Sequence, residues 1–195
     1  MQGPWKEAAS AAMDRYACGE DAAFSELYDL LAPRLSSFIM RRTRDPGKTE
    51  DLVQQTFLQM HCARRHFAQG AAVTPWAFAI ARRLLIDTFR KRGRDPVWVD
   101  DDGDDARESA APGASPDEVA ARRRLTRRMG EELSRVSETD RTAFELVKCD
   151  GLSMAEAAEV LGTTANAVKL RAFRTAEALR ATLGDEAREE LEGTW

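Results

Sequence analysis

Residues 151–183 read GLSMAEAAEVLGTTANAVKLRAFRTAEALRATL, a pattern of two short helices joined by a glycine turn. Ser153 is followed three residues later by Glu156, the capping-box spacing that starts a helix by satisfying free backbone N–H groups. Ala155, Ala158 and Leu161 put a narrow apolar face on this helix, and Gly162 closes it because glycine enters the left-handed region without steric cost. Thr163 or Thr164 can cap a second helix. On it Val168, Ala172, Ala176, Leu179 and, weakly, Phe173 face inward, which leaves Lys169, Arg171, Arg174 and Arg180 facing out. A short helix, a tight turn and a basic second helix form the helix-turn-helix geometry that lets the second helix enter the DNA major groove. An ordinary helical hairpin with a solvated basic face shares the local pattern, so the rest of the chain has to decide between them.

The chain has 195 residues, of which 43% are hydrophobic and 32% charged, enough apolar content for one domain or two small ones. Its net charge of −4 conceals an uneven distribution. Residues 1–95 carry a net +4, residues 96–118 a net −7, residues 119–183 a net +3 and residues 184–195 a net −4. DNA responds to local charge, because screening acts over about 8 Å. Two mildly basic modules separated by an acidic stretch are therefore compatible with nucleic-acid binding. No apolar run approaches the roughly 20 residues that span a bilayer, and the N-terminal segment lacks the basic-then-apolar order of a secretory signal. Cys18, Cys62 and Cys149 are odd in number and irregularly spaced. They are expected to be buried thiols in a reducing cytoplasm.

The folded segments show helical spacing and no period-two strand, so the expected fold class is all-α. One helix is expected from about Trp5 to Ala17, ending at Gly19. Phe24, Leu27, Leu31, Leu35 and Phe38 mark a second, broken by Asp45-Pro46-Gly47. Leu52, Val53, Thr56, Phe57 and Met60 mark another, ending near Phe67. Thr74-Pro75 starts the next, with a capping threonine and a proline at the first helical position, and it dissolves at Gly93. Residues 95–115 hold proline, glycine and a run of acids with little to bury, the composition of a flexible linker. Ser115-Pro116-Asp117-Glu118 restarts helix, Leu125, Met129 and Leu133 continue it, and Ser137 with Asp140 caps the helix carrying Phe144 and Val147. The second module thus has four helices around an expected single core. The expected domains are 1–94, a linker over 95–116, a helix-turn-helix domain over 117–183 and an acidic tail over 184–195.

Arg82, Arg83, Arg90, Lys91, Arg92 and Arg94 crowd the later part of the helix from Thr74, with Trp76, Phe78 and Phe89 beside them. Cations there can neutralise phosphates, whereas the aromatics Trp76 and Phe89 are better read as core than as stacking platforms. DLVQQTF at 51–57, TPWAFAIARRLLIDTFRKR at 74–92 and GLSMAEAAEVLGTTANAVKLRAFRTAEALR at 151–180 occur in this order and spacing. Together they resemble the two modules of bacterial RNA polymerase sigma factors of the extracytoplasmic-function group, over about residues 20–94 and 119–183.

The resemblance implies a partner, core RNA polymerase, docked on the segment 51–57. Leu52, Val53 and Phe57 are expected in the core there, leaving Asp51, Gln54 and Gln55 as contacts. It implies that the loop from Ala68 to Val73 and the following helix open the promoter element near minus ten, with Arg82, Arg83, Arg90 and Lys91 on the DNA. Unpairing costs a few kcal/mol per base, which a basic, partly apolar pocket can offset. It implies that the helix from Thr164 reads the element near minus thirty-five through Asn166, Lys169, Arg171 and Arg174, with Arg or Lys to guanine and Asn to adenine the natural pairings. An anti-sigma factor is an implied further partner, and no cofactor, metal or membrane insertion is implied.

The chain departs from the family's pattern at two places. Ile80-Ala81-Arg82-Arg83 stands where many relatives have Ile-Ala-Arg-Asn, and Asn166-Ala167-Val168-Lys169-Leu170-Arg171 where many have Gly-Thr-Val-Lys-Ser-Arg. Contacts through those glycine, threonine, serine and asparagine positions do not carry over. Other chemistry is poorly represented. Cys62 and His66 lie one turn apart but lack the further pair that a structural zinc needs. The acidic run around Gly103 places Trp98 and Ser109 where a calcium loop needs acids. With no phosphate loop and no paired nucleophile and base, no enzyme is expected. The alternative function is a stand-alone helix-turn-helix regulator, and it explains neither the 51–57 segment nor the basic helix.

Overall fold

The computed structural model describes residues 4–91 and 127–183, and every regular element among them is helical. The first module consists of α1 (Pro4–Ala17), α2 (Ala23–Thr43), α3 (Pro46–Ala63) and α4 (Val73–Lys91). The second consists of α5 (residues 127–135), α6 (Glu138–Lys148), α7 (Met154–Leu161) and α8 (Ala165–Leu183). The expected linker over 95–116 and tail over 184–195 lie outside the described residues.

Local chemistry sets most boundaries. The α2 helix ends as Arg44 turns left-handed (φ 48°) and returns its N–H to Met40. The Asp45 carboxylate then accepts from the Lys48 N–H at 3.1 Å, and Pro46 opens α3. That helix stops at Ala63, short of Phe67, and tightens into a 3-10 turn over Arg64–His66. The α4 helix begins at Val73, so Thr74 lies inside its first turn and does not cap it; the Thr74 Oγ1 is buried with no hydrogen-bond partner among the described residues. Ser137 caps α6 through the Asp140 N–H.

The apolar stripe of the first module closes as its period requires. Leu27, Leu31, Leu35 and Phe38 are fully buried, Phe24 lies partly buried at the edge, and the Phe38 and Phe78 rings meet edge-on at 5.2 Å. Leu52, Val53, Thr56, Phe57 and Met60 turn the inner face of α3 onto them. Trp76 and Phe89 are half-buried against the same core, with Trp76 5.2 Å from Phe67.

The second module does not form the single core its sequence led us to expect. Phe144 joins Ala172, Ala176 and Leu179, with Met129 and Leu133 packed on them, in one cluster. Ala143, Leu146, Val147, Leu152, Ala157, Ala158, Val160 and Val168 instead join the core of the first module. The reason is that α7 packs on α4 as well as on α8. Its buried side is therefore Ala157, Ala158 and Val160, while Ala155 is exposed. Phe173 is 47% exposed and does not face inward. The three cysteines are exposed too, contrary to expectation: Cys18 follows the end of α1, Cys149 caps α6, and Cys62 lies in the last turn of α3.

Buried charge stitches the modules together. Lys6 on α1 donates to Glu156 on α7 at 2.7 Å, and Arg41 on α2 donates to both oxygens of Asp150 at 2.6 Å. Arg42 pairs with Glu145 on α6 at 2.8 Å and donates to the Thr142 hydroxyl at 3.2 Å. The Arg42 guanidinium also lies 4.2 Å from the centre of the Phe38 ring. Burial pushes the Asp150 carboxyl above its ordinary range, more than Arg41 pulls it down. Burial acts on Glu156 in the same direction, but the Lys6 ammonium and the Ser153 donors outweigh it and hold that carboxyl below its usual value. Such pairs specify which surfaces meet more than they add stability, since desolvation offsets much of the attraction.

The helix-turn-helix forms as its residues predict. Ser153 Oγ accepts from the Glu156 N–H at 3.2 Å while Glu156 accepts from the Ser153 N–H at 2.7 Å, and Gly162 adopts φ 63°. Thr164, not Thr163, serves α8, its hydroxyl accepting from the Ala167 N–H at 3.2 Å. Ser153→Ala is expected to lower stability by ~1 kcal/mol, the usual cost of losing a cap, measurable by urea unfolding.

Candidate nucleic-acid interface

The outward face of α8 follows from its period. Val168, Ala172, Thr175, Ala176 and Leu179 are buried, which turns Asn166, Lys169, Leu170, Phe173 and Arg174 to solvent as one continuous stripe. Three of the four DNA candidates on this helix, Asn166, Lys169 and Arg174, thus lie together. The fourth, Arg171, sits at the edge of the stripe, half-buried, with its Nε 3.8 Å from Asp140 on α6. Arg180, farther along, pairs with Glu177 at 3.0 Å. The stripe therefore presents two cations, an amide and two large apolar groups. Cations serve phosphates or guanine, the amide serves adenine, and apolar groups serve the methyl of thymine.

The basic part of α4 is more divided than its sequence suggests. Arg90 and Lys91 are exposed in its last turn. Arg83 is also exposed but donates to the Gln59 side chain at 2.5 Å, tying α4 to α3. Arg82 is half-buried, with its Nε buried and without a hydrogen-bond partner among the described residues. Arg92 and Arg94 lie outside the described residues. The loop ahead of α4 is held by α1: the Gly70 N–H donates to Asp14 at 3.1 Å, and the Val73 N–H donates to the Ser10 hydroxyl at 3.2 Å. Gly70 sits at φ 75°, which favours glycine at this turn.

On α3 the expected division into buried and exposed residues holds. Leu52, Val53 and Phe57 are buried, whereas Asp51, Gln54 and Gln55 are exposed. The structure adds Leu58, 61% exposed on the same outward face, beside a shallow hollow lined by Gln54, Phe57, Tyr28 and His61. The sequence held a signal for it, because Leu58 lies four residues after Gln54 and three after Gln55, on the outward side of α3.

These surfaces sit on a chain that two family models match: Sigma-70 region 2 over residues 27–95, and Sigma-70, region 4 over residues 126–179. The chain belongs to the sigma-70 family. It is a sigma factor of the extracytoplasmic-function group. It is 31% identical to the RNA polymerase sigma factor CarQ of Myxococcus xanthus, over 89% of this chain and 96% of that protein. It is 34% identical to the extracytoplasmic-function RNA polymerase sigma factor SigF of Caulobacter vibrioides, over 83% of this chain and 86% of that protein. Among solved structures, it resembles the sigma factor RpoE of Bartonella quintana, solved with the anti-sigma factor NepR. There the TM-score is 0.64 at 26% identity, over 84% of this chain and 98% of that one. The fold also matches that of CnrH solved with the cytosolic domain of CnrY, at a TM-score of 0.67 and 24% identity, over 90% of this chain and 97% of that one.

In this sigma factor α1 precedes the stretch matched by the region 2 model, yet it supplies Lys6 to the contact with α7. No helix among the described residues is long and apolar enough to cross a membrane.

Proposed function

We propose that this sigma factor docks on core RNA polymerase through the outward face of α3, with Asp51, Gln54 and Gln55, and Leu58 beside them. Residues 1–94 form the docking and minus-ten module: the loop at 68–73 and α4 engage and open that element, with Arg90 and Lys91 on the backbone and Arg82 and Arg83 at its entrance. Residues 117–183 form the module that reads the minus-thirty-five element through Asn166, Lys169 and Arg174, with Arg171 at the flank. Residues 95–116 join the two, and 184–195 form an acidic tail. The chain makes and breaks no bond itself; it supplies recognition and strand separation in the cytoplasm, and the polymerase supplies the chemistry. Similarity to a sigma factor solved with its anti-sigma factor supports regulation by a partner of that kind.

The observation that carries this reading is the coexistence on one chain of an exposed polar α3 face and a basic, outward α8 stripe. A stand-alone regulator needs only the second. The packing of the modules gives the reading a further consequence. The two promoter elements lie roughly 25 base pairs apart, about 85 Å along B-form DNA at 3.4 Å per pair. A compact body of this size has a radius of gyration of about 16 Å and a diameter of about 40 Å. One closed body cannot reach both elements, so polymerase binding separates the modules and breaks the Lys6–Glu156, Arg41–Asp150 and Arg42–Glu145 pairs.

Run-off transcription with purified core polymerase on sheared genomic DNA tests the reading. Discrete start sites that require both core enzyme and this chain are expected. DNA binding indifferent to polymerase would instead favour a stand-alone regulator.

A further inference from the structure

Leu170 is 50% exposed on α8, whereas Val168 and Ala172 on either side of it are fully buried. It lies in the second turn of the helix, between Asn166 and Lys169 on one side and Phe173 and Arg174 on the other. A leucine offers no hydrogen bond, so the only interaction it can add to a docked surface is apolar contact. The charged residues around it decide which surface docks: Lys169 and Arg174 suit the phosphate-lined groove of DNA and disfavour a purely apolar partner. Within the major groove the prominent apolar feature of the base edges is the C5-methyl of thymine. The early turns of a recognition helix are the ones that reach base edges. Leu170 therefore stands closer to the expected bases than Phe173, one turn on. It also stands where the resembling motif carries serine, a residue that hydrogen-bonds to several bases and so discriminates among them less.

We propose that Leu170 reads a thymine methyl group in the upstream promoter element, giving this sigma factor a thymine preference at one position of that element. The proposal rests on the assignment of α8 as the promoter-reading helix. Lys169 and Arg174 position the helix, Asn166 pairs with a neighbouring base, and Leu170 closes over the methyl and excludes water from it.

Replacing thymine by deoxyuridine removes this methyl and leaves every hydrogen-bonding group of the base unchanged, so it isolates the proposed contact. Holoenzyme assembled from core polymerase and the full chain is bound to a mapped promoter in which each thymine of the upstream element is replaced singly by deoxyuridine. At one position the wild-type holoenzyme is expected to bind about fourfold more weakly, the ratio that corresponds to ~0.8 kcal/mol for one methyl-sized group. Holoenzyme carrying Leu170→Ser is expected to bind the thymine and uracil promoters equally at that position. Because Leu170 is exposed, the variant retains its fold, and an unchanged circular dichroism melt checks this. Three results would overturn the proposal: no thymine whose methyl matters, an upstream element without thymine, or a methyl effect that persists in Leu170→Ser. Failure of the underlying assignment looks different, since the unmodified promoter would then form no complex that depends on α8.

Discussion

Glu145→Gln is expected to lower the thermal midpoint of the free protein by about 6–20 °C. The Glu145 side chain is almost completely buried, pairing with Arg42 at 2.8 Å, with Arg141 at 2.9 Å and with Arg41 at 3.7 Å. Removing its charge takes one counter-charge away from the buried guanidiniums of Arg42 and Arg141. Breaking a buried pair from one side costs ~3–5 kcal/mol, and 1 kcal/mol moves the midpoint of a protein this size by about 2–4 °C. Glu131 is the control. Its partner, Arg127, lies at 3.3 Å on the surface, and exposed pairs contribute only ~0–1 kcal/mol, so Glu131→Gln should leave the midpoint nearly unchanged. Thermal unfolding followed by far-UV circular dichroism decides between them, and equal melting of the two variants would show that the Glu145 cluster does not hold the modules. Small-angle scattering on Glu145→Gln below its midpoint adds a functional reading. A larger radius of gyration with helix content intact would mean that the modules had parted before they unfolded.

The largest effect on transcription is expected from Lys169→Ala combined with Arg174→Ala. Both residues lie exposed on the outward stripe of α8, so neither supports the core. Each well-placed contact to a base is worth ~1–3 kcal/mol, about 5- to 150-fold in binding. The double variant should therefore lose most promoter-specific initiation while binding core polymerase as the wild type does. Arg171→Ala is expected to behave differently. Arg171 is shared with Asp140 and lies at the edge of the stripe, so its loss should weaken α8 against α6 as well as any contact with DNA. Comparing promoter binding with thermal stability across the three substitutions separates the roles. A Lys169/Arg174 variant that initiates normally would remove α8 from the promoter-reading role.

Relationships between residues close in sequence were legible in the sequence alone. Ser153 and Glu156, Ser137 and Asp140, and Gly162 all sit within four residues of the groups they satisfy, and Asp45-Pro46-Gly47 marks the break between α2 and α3 by its own composition. The apolar period placed Leu27, Leu31, Leu35 and Phe38 inside, and it placed Asp51, Gln54 and Gln55 outside. Other assignments failed for reasons of packing. Phe173 is apolar but lies off the buried stripe of α8, and Ala155 is exposed because α7 turns to meet two partners. The cysteines are exposed at helix ends and on outer faces, where no core demands them.

The sequence by itself determined the helical periods, the caps at Ser137 and Ser153, the helix-turn-helix and the membership of the sigma-70 family, because each depends on a motif or a period carried by neighbouring residues. Only the tertiary structure decided that the two modules share a core and that Lys6, Glu145, Asp150 and Glu156 are buried charges. The pairs that join them across the modules, Lys6–Glu156, Arg41–Asp150 and Arg42–Glu145, link residues more than 100 positions apart. A charge that is solvated in an isolated helix becomes a specific contact only when the opposite charge arrives from a distant segment, and no local pattern records that encounter.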